Sequence, residues 1–148
     1  MDIISSFRGH YRFLSNFFPA NIEFEGDLYP SAEHAYQAAK SKDRKYRERI
    51  RDCGAPGSAK ALGQRVPLRE DWEGVKLDIM LGILRSKFEQ LYFRDLLLAT
   101  CDAELKEGNN WGDRFWGVVD GKGQNHLGRL LMKVRDELRQ KHEQVGMD

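Results

Sequence analysis

The chain has 148 residues, and its 24 lysines and arginines nearly balance its 23 acids, giving a formal net charge of +1. The length fits one domain over residues 1–148 that buries about two thirds of its unfolded surface. The balanced charge argues against a protein surface that binds nucleic acid or membranes over most of its area. No apolar run approaches the roughly 20 residues that cross a bilayer, and Cys53 and Cys101 lack the spacing of zinc ligands. We therefore expect free thiols in a reducing cytoplasm.

The first 26 residues predict two short strands joined by a loop rich in aromatic rings. The strands are residues 2–7 and 21–26, the second because Ile22 and Phe24 alternate with polar residues. The loop, GHYRFLSNFFPA, is typical of a segment whose aromatic side chains fill the hydrophobic core. Asn16 is its exception, because a polar group among apolar neighbours needs a specific role.

A helix is predicted from the N-cap Ser31 to about Ser41. Within it, Glu33, Gln37 and Lys40 share one side and can point toward one space. Glu33 lies in the first turn, where the helix dipole favours an ionised carboxylate. An ordinary N-terminal helix acid is the alternative that this position leaves open.

Two further segments of the middle of the chain predict contrasting helices. Residues 43–53 are strongly basic, which indicates a solvated face with ion pairs or a surface that contacts phosphates. Residues 70–90 are apolar on two sides and predict the longest helix, buried at the centre. Trp72 near its start is either a core residue or a pocket wall.

The remaining helices complete a mostly helical α+β domain with a few short strands. They are predicted at residues 58–64, 92–101 and 126–143, the last with Asn125 as its N-cap and an apolar stripe of Leu127, Leu130, Leu131, Val134 and Leu138.

The stretch Gly108–Gly128 combines tryptophans with many glycines. Such a composition predicts a pocket for a flat ring and an anion, because aromatic rings form apolar walls and glycines allow close backbone approach. Gly121 and Gly123, on either side of a lysine and ahead of a helix, resemble a phosphate cradle. A β-turn that leads into a helix explains them equally well. Trp111 is expected to be a packing residue.

Glu33 and Asp113 are candidates for hydrolytic chemistry. Cleavage of a glycosidic bond builds positive charge on the sugar carbon, which a carboxylate stabilises or captures, and two carboxylates suffice without a metal. A serine nucleophile is disfavoured because Ser31 is expected to cap a helix. His34 points about 100° away from Glu33 on the helix and is expected to be structural.

Several motifs in fixed order then identify a known family. They are FLSNF (13–17), YPSAEHAYQAAK (29–40), LREDWEGVK (68–76), KFEQ (87–90), EGNNWGDRFWG (107–117) and GKGQNHLGRLLMKVR (121–135). In this order the chain resembles the NADAR superfamily, also called the YbiA-like family, over nearly its whole length.

The resemblance implies an enzyme that hydrolyses N-glycosidic bonds with neither a metal nor another cofactor. Members act on phosphoribosylated or ADP-ribosylated compounds, including ribosylamino-pyrimidine phosphates of riboflavin synthesis and ADP-ribose linked to guanine in nucleic acid. The family's glutamate falls on Glu33 as the principal catalytic carboxylate, and Asp113 is the second catalytic candidate. The expected substrate-binding residues are Asn16, Gln37, Lys40, Arg69, Trp72, Lys76, Trp116, Gly121, Gly123 and Asn125.

One departure from the riboflavin-type pattern is that Val118 and Val119 follow the Trp-Gly pair, so Asp120 is the next acid and its role is open.

Two alternatives to a cytoplasmic enzyme for small substrates also remain. The first is a non-catalytic module that binds ADP-ribose or a nucleotide. The second is action on ADP-ribosylated nucleic acid through the basic helix 43–53.

Overall fold

The structure is a computed structural model that describes residues 2–147, and side chains up to residue 144. The elements in chain order are β1 (Ile3–Ile4), a 3-10 helix (Gly9–Leu14), β2 (Pro19–Phe24), β3 (Asp27–Ser31), α1 (Ala32–Ala39), α2 (Arg44–Arg51), α3 (Pro56–Gly63), α4 (Trp72–Phe88), α5 (Leu91–Leu98), β4 (Glu104–Leu105) and α6 (His126–Met147). The expected α+β class, mostly helical with a few short strands, is confirmed. Among the described residues, no helix is both long and apolar enough to cross a membrane.

Contacts between Cα atoms divide the chain into two units. The central unit is Asn16–Lys87, and the terminal unit is formed by the segments on either side of it in sequence. The expected single domain over residues 1–148 stays a prediction.

The central unit begins with an antiparallel hairpin of β2 and β3, in which Ile22 pairs with Tyr29. Both of these side chains are buried. The turn residues Glu25 and Gly26 have φ angles of 49° and 87°, as a tight two-residue turn between twisted strands requires. This hairpin positions α1, which follows β3 without a loop.

The N-terminus of α1 is capped as the sequence predicts. Ser31 Oγ accepts the backbone N–H of His34 at 3.1 Å. The His34 ring lies between Ser31 Oγ, 2.6 Å from Nδ1, and the carbonyl of Cys53, 2.9 Å from Nε2. Because a carbonyl only accepts, Nε2 carries a proton, and His34 is structural as expected. All eight residues of α1 are buried, so its polar side chains face the protein interior.

Helix α2 makes ion pairs with the hairpin and within itself. Arg44 lies 3.0 Å from Asp27 and 3.3 Å from Glu48, one helical turn away. Arg47 lies 3.5 Å from Glu25. The expected solvated face with ion pairs is confirmed, and these pairs neutralise part of the basic run.

Helix α4 differs from its prediction in length and burial. It has 17 residues, whereas α6 has 22, so the expectation that it is the longest helix is wrong. Its buried side chains lie mainly along one side: Trp72, Met80, Ile83, Leu84, Lys87 and Phe88. The second apolar stripe is partly in solvent, since Leu77 is 37% exposed.

The terminal unit contains a short parallel pair of β1 and β4, with Ile4 opposite Leu105. Helix α6 packs against β4 and α5. Of its predicted apolar stripe, Leu127, Leu131, Val134 and Leu138 are buried, and Leu130 is half-buried. The closing helix therefore packs on the core as expected.

Candidate active site

Glu33 is a buried carboxylate in the first turn of α1, with 7% of its surface exposed. Its backbone N–H donates to the carbonyl of Asn16 at 3.0 Å. Its Oε1 accepts a hydrogen bond from Gln37 Nε2 at 2.7 Å. Burial of a carboxylate is costly unless hydrogen bonds compensate, and the predicted shared side of Glu33 and Gln37 supplies one here.

Two buried amides flank this carboxylate in sequence and structure. Asn16 Nδ2 makes a 3.6 Å contact with Met80 Sδ. In the described part of the chain, Asn16 Oδ1 and Gln37 Oε1 are buried without a hydrogen-bond partner. Such orphaned acceptors are rare in folded proteins and call for an explanation. Hydroxyl groups of a bound sugar are donors that would satisfy them.

Tyr36 and Lys40 follow Glu33 toward the end of α1, where the Tyr36 ring contacts the Trp72 ring of α4. Lys40 Nζ is 5.5 Å from the centroid of the Tyr36 ring, and that centroid is 5.3 Å from the Trp72 ring. Trp72 is only 5% exposed, so it packs behind Tyr36. Burial lowers the pKa of Lys40, the Glu33 charge raises it, and the charges of Lys60 and Lys76 lower it.

Arg69 joins the start of α4 to the end of α1. Its backbone N–H donates to the carbonyl of Lys40 at 2.8 Å. Its guanidinium forms a two-pronged pair with Asp71, at 2.6 and 3.2 Å. This hydrogen bonding raises the pKa of Arg69 and lowers the pKa of Asp71. The predicted binding residue Arg69 therefore has a clear structural role.

In the terminal unit, Asp113 organises the loop that contains it. Its Oδ1 accepts the backbone N–H groups of Phe115, at 3.1 Å, and Trp116, at 2.9 Å. The Asn109 side chain in turn bonds the backbone of Asp113 through both its oxygen and its nitrogen, at 3.0 and 2.9 Å. One oxygen of the predicted catalytic Asp113 is thus used to hold the chain.

The segment Val119–Lys122 is a β-turn. Val119 and Lys122 exchange backbone hydrogen bonds of 2.8 and 3.0 Å. Between them, Asp120 and Gly121 have φ angles of 52° and 77°, as a type I′ turn requires. The open role of Asp120 is therefore accounted for by the turn, where Asp-Gly is a favoured pair.

The N–H groups that lead into α6 are occupied by the preceding loop. Four consecutive N–H groups donate to carbonyls of residues 114–117: Gln124 to Arg114, Asn125 to Gly117, His126 to Phe115 and Leu127 to Trp116. An anion at the start of α6 would have to displace these bonds. The helix begins at His126, as predicted.

Gly123 has a packing role in this loop. A Cβ at Gly123 would collide with the carbonyl of Gly117 and approach that of Arg114 at 3.1 Å. The absence of a side chain therefore allows residues 114–117 to pack against the turn.

The other terminal-unit residues of the predicted site also have identifiable contacts. The Trp116 ring lies 4.9 Å from that of Phe115, edge to face. Asn125 precedes α6, but its side chain donates to the carbonyl of Leu105 at 2.9 Å and accepts the N–H of Glu107 at 3.0 Å. Trp111 is 55% exposed, so its expected packing role is wrong.

Comparison with known proteins places these features in a family. The family model of the NADAR domain matches residues 6–139. This chain belongs to the NADAR domain family. Its resemblance to the family, inferred from the motifs, is thereby confirmed.

Relatives of this NADAR chain include enzymes with assigned activities. N-glycosidase YbiA of Escherichia coli K12 is 45% identical over 86% of this chain and 82% of its own. An N-glycosidase of Nostoc punctiforme is 40% identical over 87% and 86%. A riboflavin biosynthesis protein of Vibrio vulnificus is 40% identical over 88% of this chain and 36% of its own. The NMR structure of E. coli YbiA superposes with a TM-score of 0.83 at 42% identity, covering 96% of this chain and 88% of that one.

These relatives confirm the expected class of enzyme, and this NADAR protein is an N-glycosidase. The roles of individual residues stay predictions. The structure brings Asn16, Glu33, Gln37, Lys40, Arg69, Trp72 and Lys76 into the central unit, and Asp113, Trp116, Gly121, Gly123 and Asn125 into the terminal unit.

Sequence reasoning missed three residues that shape these sites. Asn109 holds the Asp113 loop, Gly63 packs on Gln37, and Lys60 lies near Lys40. An asparagine in a glycine-rich loop was a usable signal for Asn109, because its side chain can both donate and accept. The other two depend on the packing of α3 against α1, for which the sequence carries no local signal.

Proposed function

We propose that this NADAR protein releases the base from an ADP-ribosylated or phosphoribosylated substrate, with Glu33 as its principal catalytic carboxylate. Examples are ADP-ribose linked to guanine and a ribosylamino-pyrimidine phosphate of riboflavin synthesis. The single observation that supports Glu33 is its position as a buried carboxylate fixed by Gln37 on a fully buried helix. The Vibrio relative's name supports the second example.

In the proposed reaction, water adds to the anomeric carbon as the C–N bond breaks. Positive charge develops on the ribose ring, and the Glu33 carboxylate either stabilises it or accepts a proton from the attacking water. The proton passes to the departing nitrogen, so that the products are ADP-ribose or a free sugar phosphate, depending on the substrate, and a base with an N–H. Carboxylate chemistry of this kind requires no metal.

The neighbouring groups suggest roles in substrate binding. Asn16 Oδ1 and Gln37 Oε1 would accept from ribose hydroxyls, and Lys40 would bind phosphate. Asp113 would orient substrate or water only through the oxygen that does not hold its loop. We further propose that the enzyme acts in the cytoplasm, because Cys53 and Cys101 are free thiols.

Replacement of Glu33 by Gln tests the mechanism directly. The variant keeps the size and hydrogen-bonding capacity of the side chain but removes its charge. We expect Glu33→Gln to bind ADP-ribose like the wild type, while release of base and sugar, measured by mass, falls at least about a hundredfold. The matched control is Glu143→Gln, at an exposed acid of α6.

The same assay separates the proposed enzyme from its alternative. It offers ADP-ribosylated guanine in DNA and a ribosylamino-pyrimidine phosphate side by side, which also identifies the preferred substrate. Unchanged turnover in Glu33→Gln would exclude the mechanism. Stoichiometric ADP-ribose binding by the wild type, without release from either substrate, would identify a reader module.

Action on modified nucleic acid is the narrower part of the proposal. Arg44 and Arg47 are held by Asp27 and Glu25, and this leaves Lys45 and Arg49 as the exposed cations of α2. The double variant Lys45→Glu/Arg49→Glu should slow release from DNA while sparing free nucleotides. If the double variant loses the same fraction of its rate on DNA and on free nucleotides, α2 is excluded as a nucleic-acid surface.

A further inference from the structure

Helices α1 and α3 bring two lysines to the same place. Gly63, the last residue of α3, packs against the side chain of Gln37. Lys60 lies one helical turn before Gly63, and Lys40 lies one turn after Gln37, so each lysine shares a side of its helix with the contact residue. The Lys60 charge acts on Lys40, which indicates that both lysines lie at the same end of this contact.

A third lysine reaches this place from α4. The Tyr36 and Trp72 rings are in contact, with centroids 5.3 Å apart. Lys40 and Lys76 each lie one turn beyond one of these rings, and the Lys76 charge also acts on Lys40. The contacts of α1 with α3 and α4 thus direct Lys60 and Lys76 toward the end of α1, and the charges of both act on Lys40 there.

Like charges that lie close together repel one another, and an anion between them relieves this repulsion. Burial disfavours the charged form of Lys40, and Glu33 is the acid that opposes this effect. Lys76 lies 2.7 Å from Glu73, and although the Lys76 side chain is only 16% exposed, that of Glu73 is 80% exposed, so water competes for the Glu73 carboxylate and an anion can replace it. A phosphate carries the charge and the acceptor oxygens to bridge several ammonium groups.

We propose that Lys60 completes, together with Lys40 and Lys76, a binding site for the phosphate group of the substrate. The proposal rests on the proposed function for its choice of ligand. The phosphate would then bind to side chains of the central unit and not to the glycine turn of residues 121–123. The N–H groups next to that turn are occupied by carbonyls. Lys60 lies outside the motifs by which the family was identified, and neither the motif nor the helix patterns assigned it a role.

The test measures binding without turnover. Ribose 5-phosphate, ADP-ribose and unphosphorylated ribose are titrated into the full-length Glu33→Gln protein by calorimetry or NMR. Adding Lys60→Gln should weaken binding of both phosphorylated ligands about tenfold, the effect of losing one charge-assisted hydrogen bond. Lys60→Arg should retain most of the affinity, and ribose should bind equally to all variants.

The matched control is Lys141→Gln, which removes an exposed charge from α6. If Lys60→Gln and Lys141→Gln weaken the phosphorylated ligands equally, or if neither does, the proposed site is wrong. Absence of ribose 5-phosphate and ADP-ribose binding in the Glu33→Gln protein would also exclude it. The outcome is separable from the proposed function, because turnover retained by Glu33→Gln would overturn the mechanism while leaving these binding data intact.

Discussion

Gly63 lies so close to Gln37 that a Cβ at residue 63 would overlap Gln37 Oε1 and come within 2.9 Å of Gln37 Cβ. The same Gln37 side chain donates to Glu33 Oε1 at 2.7 Å. The end of α3 therefore fixes the Gln37 amide, and that amide fixes the Glu33 carboxylate. A backbone position remote in sequence thus controls the orientation of the proposed catalytic group.

Substitution of Gly63 by Ala should disturb this arrangement. The added methyl group forces the buried Gln37 side chain to move, at a cost of about 1–3 kcal/mol in the free energy of unfolding. Because the Glu33 carboxylate loses its fixed partner, we also expect kcat to fall about tenfold while KM changes less. Thermal or urea unfolding measures the first effect, and steady-state kinetics on a phosphorylated riboside measures the second.

Gly57 in the same helix provides the control, because a Cβ there meets nothing within 4 Å. Gly57→Ala should leave kcat unchanged and stability equal or slightly higher. Gln37→Ala removes most of the atoms that the new methyl group would meet, so Gly63→Ala should cost less stability in that background. Additive effects of the two changes would show that Gly63 does not act through Gln37.

Asp113 offers a second test, because a role in holding the loop and a role in catalysis predict different effects of the same substitutions. Asparagine keeps the oxygen that accepts the N–H groups of Phe115 and Trp116, whereas alanine removes it. We expect Asp113→Asn to retain kcat within about tenfold, and Asp113→Ala to lose about 1–3 kcal/mol of stability. Unfolding and kinetic measurements on both variants decide between the roles. A kcat for Asp113→Asn as low as that of Glu33→Gln would show that Asp113 takes part in catalysis.

What the sequence predicted correctly is mainly local. The Ser31 cap, the shared side of Glu33 and Gln37, and the buried stripe of α6 all depend on residues within two turns of each other. The aromatic–glycine stretch was harder, because its backbone partners lie elsewhere in the loop. Local pattern does not reveal that the N–H groups before α6 are taken by the carbonyls of residues 114–117.

The same limit applies to side chains that meet across helices. Nothing near Gly63 in sequence indicates that it lies against Gln37, and a glycine at the end of a helix is ordinarily explained as a stop signal. The exposure of Trp111 is likewise a property of the folded loop. The helix that carries Glu33 and its partner Gln37 was therefore predictable, whereas Gly63, which holds Gln37 from another helix, was not.

Lys87 should make stability depend on pH in an unusual direction. It is fully buried, and burial lowers the pKa of its ammonium from 10.5 to about 7. Between these two values the unfolded chain holds a proton that the native chain has lost, so the contribution of Lys87 to the free energy of unfolding rises with pH. Below about pH 7 both states are protonated and the cost of burying the charge is fully present.

Lys87→Met removes this cost while retaining a long side chain. The free energy of unfolding of the wild type relative to that of the variant should rise by on the order of 4 kcal/mol between pH 6 and pH 10. Urea unfolding at pH 6, 8 and 10 measures it, with Lys45→Met at an exposed position of α2 as the control for removal of a surface lysine. A constant difference between wild type and Lys87→Met over this range would show that Lys87 keeps its proton in the folded protein.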